Sequence, residues 1–182
     1  CQQKPPASAM VKIKSGSYIP LYSSDVQQTA VKSFEMDVYP VTNNDFLAFV
    51  KANPAWMKSK VKSLFADSSY LKQWKSDLTF NQNIANSPVV NVSWFAAKKY
   101  CECLDKRLPE TAEWELAARA SETMADAGKD PGFNQWVLNW VTKPSLPALP
   151  SVGTTYKNFF GVYDLHGLVW EWTYDFNNAL TT

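Results

Sequence analysis

The chain has 182 residues, enough for one domain with a sizeable core, and 18 basic against 17 acidic residues leave a net charge of +1. That balance excludes a domain-wide attraction to nucleic acid, and no apolar run reaches the roughly 18 residues needed to cross a bilayer. Aromatic residues make up 14%, a high share, and tryptophans recur as anchors in nearly every segment.

Residues 1–9 of CQQKPPASAM are polar and proline-containing and read as a tether, with the domain spanning 10–182. A cysteine at position 1 is either an arbitrary boundary or the first residue of a mature chain left by signal-peptide cleavage. The second case resembles a mature bacterial lipoprotein. Cys1 then carries the lipid, which is the only membrane attachment, and the domain lies in the cell envelope outside the cytoplasm.

MVKIKSGSYI (10–19) alternates Val11 and Ile13 with lysines before a Ser-Gly turn, the pattern of a strand entering a hairpin. AVKSFEMDVYPV (30–41) offers a second strand ended by Pro40. A helix follows, with Thr42 as N-cap, Asp45 completing a capping box, and Val41 and Phe46 placed for a hydrophobic staple. Phe46, Phe49 and Val50 supply its buried face, and Asn53-Pro54 stops it. Residues 55–86 have broken periodicity and predict short helices and loops anchored by Trp56, Leu71 and Trp74. The KSKVKS stretch (58–63) within them reads as solvated surface.

PVVNVSW (88–94) predicts a short buried strand, then Ser93 as N-cap of a second helix. On that helix Trp94, Ala97, Cys101 and Leu104 share an arc, so Cys101 is expected buried and Cys103 exposed. Residues two apart on a helix point about 200° apart, which argues against a bond between these two cysteines. In KRLPETAEWELAARA (106–120), Thr111 is expected to cap a third helix whose Trp114, Ala117 and Ala118 face inward. Gly, Pro and Asn dominate 121–158 and predict long surface loops.

Four stretches occur in a fixed order: FEMDVYPVTNNDFLAFV, PVVNVSWFAAKKYC, KRLPETAEWELAAR and NFFGVYDLHGLVWEW. Together they resemble the formylglycine-generating enzyme, or sulfatase-modifying-factor, family over roughly residues 10–175. The resemblance implies an α+β, C-type-lectin-like fold with a few helices, small twisted sheets and much irregular structure. It also implies a structural calcium held by the side chains of Asp164 and Glu171 and the carbonyls of Gly167 and Val169. Such a mixed set suits a hard cation that takes about 6–8 oxygens, and glycine at 167 permits the tight turn. Leu168 stands where the family has asparagine. A second family calcium site needs an Asn–apolar pair and a later aspartate; Asn139-Trp140 matches the pair, but 141–163 hold no acidic residue.

In catalytic members of the family, a cysteine pair beyond the WEW segment binds copper(I) and the enzyme converts a sulfatase cysteine to formylglycine. Soft thiolates suit that metal. None of the three cysteines here stands at those positions, so no catalytic residue is carried over. Cys101 matches a family position that in some members bonds to a cysteine near the C-terminus; alone, it reads as a small buried hydrophobe. His166, the single histidine, reads as a turn residue. Two functions follow as expectations. One is a non-catalytic binding or structural module of an envelope lipoprotein, the other a copper-dependent oxidase whose cysteines lie on a further C-terminal segment. In both, that segment or a protein partner covers the apolar surface around Trp170 and Trp172.

Overall fold

Short strands and short helices alternate with turns because proline, glycine and asparagine interrupt every periodic run. The computed structural model describes residues 8–20, 27–143 and 148–177, so lipidation of Cys1 falls outside the described residues. The elements are β1 (Met10–Ile13), β2 (Gly16–Tyr18), β3 (Thr29–Val31), β4 (Phe34–Asp37), α1 (Asn43–Ala52), α2 (Trp94–Cys103), α3 (Thr111–Ala118) and α4 (Pro131–Val141). Two compact units divide the chain, the first built mainly on Pro40–Leu108, the second on Ser8–Tyr39, Pro109–Ser145 and Gly153–Thr182. A mixed helix and strand architecture with much irregular structure is as the sequence implied.

In the first unit, the capping box at Thr42 and Asp45 forms and starts α1. Phe46, Phe49 and Val50 are buried as expected, with Leu71 and Trp74 beside them. Tyr100 of α2 stacks on Phe46 at 5.9 Å and meets Phe49 edge-on at 5.7 Å. This aromatic contact turns α2. Its buried residues are Ala96, Tyr100 and Cys103, so Cys103 is inside and Cys101 half-buried, the reverse of the expected order. Tyr100 sets that face over the arc led by Trp94 because its ring packs against both Phe46 and Phe49 of α1. Cys103 is also disulfide-bonded rather than a surface thiol.

The segment expected as a strand at 88–94 forms no strand: it makes an isolated bridge, Thr42 to Pro88, the Val89 N–H donates to the Val41 carbonyl, and the Asn91 carbonyl accepts from the Leu71 N–H at 2.8 Å. Asn91, at φ 56°, turns the backbone left-handed and ends the extension. Asn43 replaces lost strand bonds. Its amide donates to the carbonyls of Ile84 (2.9 Å) and Ser87 (3.0 Å) and accepts from Trp74 Nε1 at 2.8 Å.

In the second unit, 30–41 forms two strands, not one. β1 pairs antiparallel with β4, Val11 opposite Met36, and β2 pairs with β3, Ser17 opposite Ala30. Ile13, Tyr18, Val31, Leu116, Ala117, Val162 and Leu165 form the core. The N-cap of α3 is Glu110, one residue earlier than expected, because Glu113 reaches back to its N–H at 2.8 Å. Thr111 is instead held by Asp175, which accepts from its amide at 2.7 Å. α4 replaces part of the expected loop. Asp130 caps it and Pro131 occupies the first turn, where a missing N–H costs nothing.

Candidate functional site

The DLHGLVWEW stretch packs within the second unit, and the sequence-derived site residues lie along it. Asp164 adopts a left-handed φ of 64° and is 1% exposed. Its carboxylate ties back an earlier loop. One oxygen accepts from the Gly153 N–H, the other from Thr155 N–H at 3.0 Å and Thr155 Oγ1 at 2.7 Å. Three donors leave about one of the four lone-pair directions of a carboxylate unused.

The turn at 165–168 follows, with Gly167 at φ 91°. A Cβ at Gly167 would stand 2.6 Å from the Trp140 indole, so glycine is required both for the turn and for the approach of that ring. Val169 continues the segment, and Glu171 accepts a 2.6 Å hydrogen bond from Trp114 Nε1 on α3. Burial pushes the Glu171 carboxyl up to about 7; the indole bond opposes the shift and the Asp164 charge adds to it. The indoles near Glu171 diverge: Trp114 is half-buried against the core, whereas Trp170 is 91% exposed.

Two contacts of this cluster carried no sequence signal. The Tyr156 hydroxyl is buried without a hydrogen-bond partner among the described residues. Burial, then the charges of Glu171 and Asp164, push its ionisation up, so it remains a neutral donor. Trp114 was legible only as an inward face; its bond to Glu171 spans 57 positions, beyond any local pattern. His166 sits in the turn as expected. Its Nε2 lies 2.8 Å from the Ala118 carbonyl, which only accepts, so Nε2 carries the proton and Nδ1 is the acceptor. The ring is enclosed by Trp114 (5.7 Å), Phe133 (6.0 Å), Trp136 (6.4 Å) and Tyr156 (6.2 Å), and burial holds the imidazole neutral by lowering its pKa.

The arrangement joins two carboxylates, an orphan hydroxyl and a glycine turn, a donor chemistry that fits a calcium ion. Glu171 fits best. Asp164 has one lone pair to offer because its main task is to clamp the loop. Among the described residues no group of three or more His, Cys, Asp or Glu side chains gathers, so a cation here depends on backbone oxygens such as those of Gly167 and Val169.

Comparison with known proteins gives the same family as the motifs. The sulfatase-modifying factor enzyme 1-like domain matches residues 1–181. An inactive Cα-formylglycine-generating enzyme 2 of Bos taurus is 29% identical over 190 residues, covering 81% of this chain and 62% of the relative. A formylglycine-generating enzyme of Mycobacterium tuberculosis is 36% identical over 106 residues, 49% of this chain and 33% of the relative. The serine/threonine-protein kinase pkn1 of Chlamydia caviae is 27% identical over 151 residues, which cover 82% of this chain and 24% of the kinase. The chain thus spans about a quarter of that kinase and about three fifths of the inactive enzyme.

Proposed function

The chain belongs to the sulfatase-modifying factor enzyme 1-like domain family, and from that premise we propose that it is a non-catalytic binding or structural module whose contact residue is Trp170. The observation that carries this reading is a 91% exposed indole one residue before a carboxylate fixed by Trp114. Large indoles left in water on a fixed segment are the usual anchors of protein contacts. Trp172, at 38% exposure, extends the surface. The occupant is a protein partner or a further segment of polypeptide.

The similarity to an inactive relative over 81% of the chain supports a scaffold without oxidase activity. Calcium, held by Glu171 with the Gly167 and Val169 carbonyls and the remaining lone pair of Asp164, would rigidify the segment that presents Trp170.

The second reading is a copper-dependent oxidase acting on a sulfatase cysteine, and the relative named formylglycine-generating enzyme favours it. Its copper-binding cysteines would lie on polypeptide outside these residues. One assay separates the two. The full-length protein from its native host is loaded with copper(I) and given a cysteine-containing sulfatase peptide, and the product is read by mass spectrometry. Unchanged peptide is expected. Conversion to formylglycine would replace the module reading with the oxidase.

A further inference from the structure

The second unit has a cavity of about 90 Å³ walled by α3, α4 and the His166 turn. That is small beside the roughly 300–1,000 Å³ of whole-ligand pockets, so it admits one functional group on a short stem. Trp114, Phe133 and Val137 give it an apolar, mostly aromatic wall.

The polar groups on the wall are mainly acceptors. Glu115 faces the Tyr18 hydroxyl, whose ionisation is pushed up by burial and then by that carboxylate, so Tyr18 stays a neutral donor. Arg119 also lines the cavity, but its charge is committed elsewhere. Its Nε pairs with Asp126 at 3.0 Å, and a terminal nitrogen donates to the Ile19 carbonyl at 3.4 Å. The guanidinium lies so close to Gly128 that any Cβ there would overlap it. Among the described residues no basic side chain pairs with Glu115. Asn134 spends its amide N–H on the Gly128 carbonyl at 3.1 Å, leaving its oxygen as an acceptor, and His166 Nδ1 is an acceptor by its fixed tautomer.

We propose that this cavity binds a protonated primary amine, its N–H groups taken by Glu115, Asn134 and His166 and its alkyl stem laid against Trp114 and Phe133. A carboxylate beside aromatic faces attracts a cation twice over, by charge and by the ring quadrupoles. Acceptors distinguish an ammonium with N–H donors from a quaternary one. The proposal is independent of the reading of Trp170.

The test is titration of the folded protein with n-butylammonium at pH 7, followed by backbone and indole N–H chemical shifts. Saturable shifts at the Trp114 indole and the Gly128 amide are expected, with weaker binding of 1-butanol, which lacks the charge, and of choline, which lacks N–H donors. Glu115→Gln should weaken butylammonium about tenfold, as loss of a charge-assisted bond implies. Asn134→Asp, at an exposed helix position, should tighten it, and this variant carries the test if Glu115→Gln does not fold. Nα-acetyl-lysine methylamide binding as well as butylammonium would assign a peptide lysine as the source; butylammonium alone would assign a free amine. Absence of saturable shifts, equal affinity for 1-butanol or choline, preference for propanesulfonate, or no change on both substitutions would overturn the proposal.

Discussion

The two units treat buried polarity differently. In the first, the buried polar side chains among the described residues are Asn43 and Ser87, both neutral, and Asn43 has partners on both ends of its amide. In the second they include Glu113, Asn158 and Asp164, and the half-buried Glu171 and the orphan Tyr156 hydroxyl are close enough to Asp164 to feel its charge. A neutral amide with its bonds made is inexpensive to bury; carboxylates near each other are not. The first unit therefore looks after stability by packing. The second holds electrostatic cost in one place, where a bound cation would relieve it.

The largest expected effect breaks the first unit without touching the second. Phe49 is fully buried between Phe46, Trp56 and Tyr100. Phe49→Ala removes that ring and leaves a cavity, at a cost of about 3–5 kcal/mol. Urea unfolding followed by circular dichroism checks it, and the loss should be the same with and without calcium. A calcium-dependent loss would mean that the two interiors do not differ as described.

A smaller effect probes the turn itself. Gly167→Ala places a Cβ at a left-handed φ and 2.6 Å from the Trp140 ring. Strain of this kind costs about 1–3 kcal/mol. The same measurement should show that loss together with a changed indole environment in near-ultraviolet circular dichroism. Loss of less than a few tenths of a kcal/mol would mean that the turn relaxes freely and does not preorganise Glu171.

Much of this contrast was legible from residues with local rules. Thr42 and Asp45 announced α1 because a capping box is a four-residue device, and Phe46, Phe49 and Val50 followed from its period. Gly167 and His166 were readable as a turn for the same reason. Long-range choices were not. Tyr100 selected the buried face of α2 through Phe46 and Phe49 some fifty positions away, and so exchanged Cys101 for Cys103. α4 was missed because Asp130 and Pro131, read as loop formers, are also helix starters. At the site, the motif named Asp164 and Glu171 but gave no sign that Gly153 and Thr155 occupy the first, or that Trp114 and the Tyr156 hydroxyl adjoin the second.

The smallest effect is the most informative about the second unit. The Glu171 carboxyl rises from 4.5 to about 7 on folding, so the folded chain holds this proton more tightly than the unfolded one. Below about 4.5 both states are protonated and the group is neutral in the balance. As pH climbs from about 4.5 to about 7 the unfolded state ionises first, and stability falls across that window when no metal is bound. Calcium bound to the ionised carboxylate, as proposed, would reverse the sign, so with calcium present stability should rise over the same interval. At pH 7, EDTA should lower the Tm by about 2–4 °C, as expected for about 1 kcal/mol in a chain of this size. Glu171→Gln should remove both the slope in EDTA and the response to calcium. Identical melting curves in EDTA and calcium at both ends of the window would retire the cation. A slope in EDTA that persists in Glu171→Gln would show that another group titrates, and the contrast between the two interiors would lose its main term.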